Sequence, residues 1–220
     1  MTVEVRPLLC DPAVIDLLLS VNYREEMRLL SAAGKQEELK AKAFRFLTFI
    51  AAPAERRYAF GVLMDASLPV AEKADARKKV DAFLALFPAA SNMRRDALVF
   101  AASWCYDGEK YDLALEKVAE LKALPGNTVE MQAGALMTES LCRIRQNDDP
   151  GAQAILGGIV NDYGKTTLAP KAQFLIGWIH IWHEDNQKAR AALNQLVNAY
   201  PDTEYADRAR RLLGNLEAGR

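Results

Sequence analysis

DDPGAQAILGGIVNDYGKT, residues Asp148–Thr166, lies over DNQKARAALNQLVNAYPDT, residues Asp185–Thr203, with a shift of 37. Eight of nineteen positions are identical: Asp148/Asp185, Ala152/Ala189, Ala154/Ala191, Leu156/Leu193, Val160/Val197, Asn161/Asn198, Tyr163/Tyr200 and Thr166/Thr203. The match runs on through Ala169/Ala206, Ala172/Ala209, Leu175/Leu212 and Gly177/Gly214. Chance rarely produces this. Upstream, a shift of 38 places Ala114 on Ala152, Gly126 on Gly164 and Thr128 on Thr166, and a further 38 places Ala76 on Ala114 and Ala59 on Ala97. Self-similarity at a fixed period is the signature of a repeat array and outranks any single motif. About four units run from Arg56 to Thr203, with a half-unit after them.

Each unit reads as two helices. Apolar residues recur at steps of three and four, as in Ala172, Leu175, Ile176 and Ile179, then Ala189, Leu193, Leu196 and Val197. No alternating strand pattern competes. Breakers separate the helices at Asp107-Gly108, Pro125-Gly126, Asp149-Pro150, Tyr163-Gly164 and Tyr200-Pro201. Asp149 reads as an N-cap followed by Pro150 at the first helical position. Before the units, a short helix is expected over Pro12–Ser20, then a pair over Tyr23–Ala33 and Glu37–Ala52 that ends at Pro53. After them, Ala206–Gly219 reads as a helix with Arg and Asn among its apolar residues, the polar cap that an array needs. The expected organisation is N-terminal helices over 1–55, four helix pairs over 56–203 and a capping helix over 204–220, all-α throughout.

Composition narrows the partner. Lys plus Arg is 28 and Asp plus Glu is 29, a balance that argues against nucleic acid or an anionic membrane surface. No run of 18 apolar residues is present, so no membrane insertion is expected. The first twenty residues make a poor signal peptide, because Asp11, Pro12 and Asp16 break the apolar run and no basic segment precedes it. Leu9 is too large for the residue before a lipidated Cys10. A cytoplasmic location is expected; a periplasmic one stays open if a leader has been removed. Cys10, Cys105 and Cys142 lack metal-ligand spacing. Cys105 and Cys142 stand 37 apart, nearly one repeat. Equivalent places in stacked helix pairs lie about 10 Å apart, beyond the roughly 7 Å between Cα atoms that a disulfide spans, so both are expected to stay free.

The helix pair resembles the tetratricopeptide repeat, whose unit is about 34 residues. The last unit carries Ala172, Gly177, Asp185, Ala189, Leu193 and Pro201, with steps of twelve from Gly177 to Ala189 to Pro201. Another unit carries Ala97, Ala102, Tyr111 and Ala114, with Gly126 for the closing Pro; the next has Ser140 for the Gly and Gly164 for the Pro. The first has Ala59, Ala76 and Pro88, but Met64 replaces the small residue. The segments Tyr163–Ala172 and Tyr200–Ala209 are similar to repeats of bacterial envelope-associated members of this family. The resemblance implies a right-handed α-solenoid of antiparallel helix pairs. It also implies that the first helix of each pair lines a concave face, and that the chain is a protein-interaction module or adaptor and not an enzyme.

Gly177-Trp-Ile-His-Ile-Trp-His-Glu-Asp185 holds both histidines and two of the three tryptophans. On a helical wheel Gln173, Ile176, His180 and His183 fall on one side, and Lys171, Phe174, Trp178, Ile181 and Trp182 on the other. By the resemblance the first set meets packing and the second lines the groove. The preceding unit places Met137, Leu141, Ile144 and Arg145 at equivalent positions, and Lys171, Arg208 and Arg211 edge the groove. A protein or peptide partner with hydrophobic anchors and some acidic residues suits this face. Earlier units offer Tyr58, Asp96, Val99, Ser103, Tyr106 and Asp107, a more polar and acidic wall. Repeats that clamp terminal carboxylates carry Lys, Asn and Arg where this chain has Gly61, Asp65, Val99 and Ser103, so that ligand type is not expected.

Other constellations are weaker. His180 and His183 need a third ligand, and Glu184 lies about 100° round the helix from His183, so no metal is expected. Gly164-Lys165-Thr166 resembles the end of a phosphate loop, but the required first Gly is Ile159 and no strand precedes it. The adjacent carboxylates Asp148-Asp149 and Glu184-Asp185 sit at helix starts and read as caps; Glu25-Glu26 do not face one another. No Ser/His/Asp or Cys/His set can be drawn, and no cofactor is implied. Two alternatives remain. One is a homo-oligomeric scaffold, with Pro12–Ser20 of one copy in the groove of another. The other is a helical metal protein or enzyme centred on His180 and His183.

Overall fold

The computed structural model describes residues 12–50, 53–68, 75–89 and 91–218. The expected all-α class holds: the described residues form eleven helices and no strand. They are α1 (Pro12–Ala32), α2 (Gln36–Phe49), α3 (Pro53–Ala66), α4 (Ala76–Ala85), α5 (Asn92–Asp107), α6 (Tyr111–Ala123), α7 (Val129–Arg145), α8 (Asp149–Asp162), α9 (Ala169–Trp182), α10 (Asn186–Ala199) and α11 (Glu204–Glu217). The chain divides into two compact units, one up to Phe100 and one from Ala101. In the first, α2 packs on α1 and α3, and α3 on α4; in the second, each helix from α6 to α11 packs on the next, and α9 also reaches α11. Neighbouring helices packed in pairs are the architecture of a helical repeat.

The repeat is written in its turns as much as in its helices. Between the two helices of a pair, Gly34, Glu109, Asn147 and Glu184 adopt φ of 69°, 59°, 62° and 58°. In each case the next N–H reaches back five residues: Lys35 to the Leu30 carbonyl at 3.0 Å, Lys110 to Cys105 at 2.8 Å, Asp148 to Arg143 at 2.9 Å and Asp185 to His180 at 2.9 Å. This is the left-handed closure that satisfies the last carbonyls of a helix. Between pairs, Ser91, Thr128 and Thr203 accept from the N–H three residues on, at 3.0, 3.1 and 3.3 Å. The hydroxyls of Ser91, Thr166 and Thr203 also donate to the carbonyls of Pro88, Tyr163 and Tyr200. The turn at Gly34 makes α1 and α2 a pair of the same build.

Three boundaries differ from expectation. Pro12–Ser20 and Tyr23–Ala33 are one continuous helix, α1, since Ser20-Val21-Asn22 contains no Gly or Pro to stop it and Asn22 hydrogen-bonds forward to Glu26 at 3.1 Å. α2 ends at Phe49, with Ile50 extended; Ala51 and Ala52 lie outside the described residues, as do Cys10 and Gly219. Asp148, not Asp149, caps α8: its carboxylate accepts from Gly151 N–H at 3.0 Å, which moves Pro150 to the second helical position. Asp185 caps α10 in the same way, through Lys188 N–H at 3.1 Å.

The recurring alanines Ala59, Ala97, Ala114, Ala152, Ala172, Ala189, Ala206 and Ala209 are fully buried. A methyl at these places lets helices approach closely while still filling the contact. In the first unit Phe60, Phe83, Phe87 and Phe100 form an aromatic cluster, with ring centroids 5.3–6.1 Å apart. In the second, one core gathers Met137, Ala152, Leu156, Ile159, Ala172 and Ile179, and another gathers Leu193, Leu196 and Ala209. α11 contributes Ala206 and Ala209 to the interior and meets solvent with Asp207, Arg208, Arg210, Arg211 and Asn215.

Candidate functional site

The two faces of α9 have different fates. Ala172, Gln173, Gly177 and Ile179 are buried. Gln173 donates from Nε2 to the Ala192 carbonyl of α10 at 2.9 Å and to Gln195 Oε1 at 3.2 Å, which satisfies a buried amide. On the opposite side Trp178 is 46% exposed and Trp182 75%. Four residues apart on one helix, they stand on successive turns of the same face. Folding leaves these two large apolar surfaces in water, although indole burial is among the larger gains a chain can make.

The other predicted groove residues divide by burial. Phe174 and Ile181 are half-buried against the Leu193–Leu196–Ala209 core, and the Phe174 ring lies 5.8 Å from that of Tyr205 on α11. Leu141 and Ile144 on α7 are half-buried against the Leu156–Ile159 core. Met137, expected on the groove, is instead 4% exposed inside that core. It joins Ala152, Leu156, Ile159, Ala172 and Ile179 in one core, a place that its flexible, unbranched side chain suits. Tyr205 escaped the sequence reading; it lies one turn before Arg208, whose guanidinium sits 5.4 Å over its ring.

The cations expected to edge the groove are largely uncommitted. Arg208 reaches Glu204 at only 3.5 Å. Arg145 is exposed and directs Nε to the Tyr106 hydroxyl at 3.5 Å. Lys171 is half-buried and Arg211 exposed. Among the described residues no carboxylate pairs with Arg145, Lys171 or Arg211, whereas Arg143 on α7 is held by both Glu139 and Asp148.

Of the two histidines, His183 departs from its expected packing role. Its side chain is 55% exposed, and Nε2 lies 2.7 Å from Asp149 Oδ2 at the start of α8. It caps the end of α9, where the helix stops and the side chain swings toward the preceding pair. His180 is half-buried one turn earlier. Among the described residues no group of three His, Cys, Asp or Glu stands close enough to hold a metal ion. Gly164-Lys165-Thr166 lies in the turn between α8 and α9, where the Thr166 hydroxyl donates to the Tyr163 carbonyl at 2.7 Å. Cys105 and Cys142 are buried and neither forms a disulfide. Burial, with smaller contributions from Glu139 and Asp112, pushes the Cys142 thiol up to about 11.

The residues of the expected acidic wall are placed one by one. Tyr58 lies under the Arg24 guanidinium at 4.6 Å, and Asp96 pairs with Arg56 at 2.5 Å. Val99 is 37% exposed. Ser103 and Tyr106 are half-buried and Asp107 exposed.

Residues 171–203 match the family model of the tetratricopeptide repeat. The matched stretch covers almost all of α9, the turn at Glu184, the whole of α10 and the closing turn at Tyr200–Thr203. The match identifies one tetratricopeptide repeat at the α9–α10 pair, and the neighbouring helices of the second unit pack in the same sequential way. No curated protein and no solved structure matches the chain. No helix among the described residues is long and apolar enough to cross a membrane.

Proposed function

We propose that the chain is a non-catalytic interaction module that docks a partner peptide or helix on the tryptophan-bearing face of α9, the side that the repeat resemblance puts in the concave groove. The partner inserts apolar side chains around Trp178 and Trp182 and brings carboxylates to Arg145, Lys171 and Arg211. The observation that carries this reading is the exposure of the two indoles, 46% and 75%, on adjacent turns of one repeat helix. Tryptophan and arginine are the residues that most often dominate binding energy when desolvated by a partner. Half-buried Phe174 and Ile181 on α9, with half-buried Leu141 and Ile144 on α7, would supply the apolar floor of this groove. The unpaired cations favour an acidic ligand and would speed its encounter.

Selection of peptides from a random library on the intact chain tests this. Selected sequences should combine aromatic or aliphatic anchors with Asp or Glu. Their affinity should fall at least tenfold for Trp178→Ala/Trp182→Ala, and should weaken as salt rises. Selection of basic sequences, or equal binding by the double variant, would refute the assignment.

A further inference from the structure

The first helix presents a second apolar surface, separate from the tryptophan face. On α1, Met27 and Ser20 are buried, while Val21 is 59% exposed and Leu29 54% exposed on the opposite side. Between them stand Glu25 and Arg28, joined by two hydrogen bonds of 2.7 and 2.8 Å, with side chains 54% and 65% exposed. Exposed Ala32 completes the face. The order Val21, Glu25, Arg28, Ala32 steps by four, three and four, the spacing of a helix seam that meets another helix.

The charge pattern selects the occupant. A partner helix must oppose one anion and one cation that alternate along the seam. Two copies of α1, antiparallel about a two-fold axis between Glu25 and Arg28, do so without any other component. Glu25 of each copy then faces Arg28 of the other, and Val21 opposes Ala32 beside Leu29. A two-fold interface uses the same patch on both sides and needs such self-complementarity. A uniformly acidic or basic partner helix would leave one of the two charges opposed by its own sign.

We infer that α1 is a self-association surface through which two copies of this chain pair antiparallel. The inference stands independently of the tryptophan face. The described seam spans twelve residues, Val21–Ala32, which is about 17 Å of helix. That is short of a standard-sized interface, so the dimer is weak and concentration-dependent.

Sedimentation velocity of the full chain, from low micromolar to near-millimolar concentration, reads the association. Wild type should shift from monomer to dimer across the series. Glu25→Arg and Arg28→Glu should each raise the dissociation constant about tenfold or more, because like charges then face each other twice. An equimolar mixture of the two variants should regain association as a heterodimer, one seam all positive and the other all negative. A contact within one chain cannot produce that rescue. Both side chains are exposed, so circular dichroism should show unchanged helix content in each variant. Monomer at every wild-type concentration would overturn the inference. So would single variants that associate like wild type, or a mixture no tighter than its components.

Discussion

Leu193 occupies the space that a side chain on Gly177 would need. A Cβ on Gly177 would lie 2.7 Å from Leu193 Cδ2 and 2.9 Å from Cγ. Leu193 is itself fully buried on α10, so its side chain must repack to admit one. This glycine sets how closely the two helices of the last pair approach, and the repeat match at Gly214 puts the same residue where nothing lies within 4 Å.

Gly177→Ala should therefore lower stability by about 1–3 kcal/mol through overpacking. Gly214→Ala should be neutral, or stabilising by up to about 1 kcal/mol, because alanine favours a helix and meets no neighbour. Urea unfolding of the two variants side by side checks the contrast. Equal effects would mean that helix propensity, not contact with Leu193, governs Gly177.

The turns predict the opposite sign for glycine. Glu109 and Glu184 hold φ of 59° and 58°, a conformation that disfavours a side chain. Glu109→Gly and Glu184→Gly should each stabilise the chain by up to about 1 kcal/mol, less the extra freedom that glycine adds to the unfolded state. Gly34→Ala should destabilise by a similar amount although its surroundings are open, since Gly34 sits at φ 69°. Melting temperatures should move up for the first two and down for the third.

Trp182 and Met137 were expected on one surface and should behave oppositely. Trp182→Ala removes a side chain 75% exposed, so stability should stay within about 0.5 kcal/mol of wild type. Met137→Ala empties part of a core and should cost about 2–5 kcal/mol. Ligand capture should be sensitive to the tryptophan alone at temperatures where both variants remain folded.

Cys142 links burial to alkaline pH. Its thiol is pushed from 9.0 to about 11 in the fold. In the unfolded chain it ionises first, so its contribution to stability is complete below pH 9 and is lost as pH rises through about 11. Thiol labelling at Cys142, read by peptide mapping of the native chain at mildly alkaline pH, should be slow and limited by opening, and should become fast in denaturant. Cys142→Ala should flatten part of the alkaline loss of stability. Native-state labelling of Cys142 as fast as in denaturant would contradict its burial.

The sequence by itself determined the helix pairs, their period and most of their ends. These follow from local chemistry: apolar spacing at three and four, small residues at recurring contacts, and Ser, Thr or Asp where a helix begins. It also marked Trp178 and Trp182 as facing away from Gln173 and Ile176, because angle around a helix is set by residue number alone. The tertiary structure decided what lies at the end of each direction. Met137 and Leu141 share one face of α7, yet Met137 is sealed in the core and Leu141 remains half-accessible at its edge. Gly177 and Gly214 share a repeat position, yet only the first has a leucine against it. His183 meets Asp149 across 34 residues of chain. The one-residue shift of the α8 cap and the continuity of α1 through Ser20 depended on which hydrogen bonds closed. Periodicity fixes direction along the chain, and burial depends on neighbours that only folding brings together.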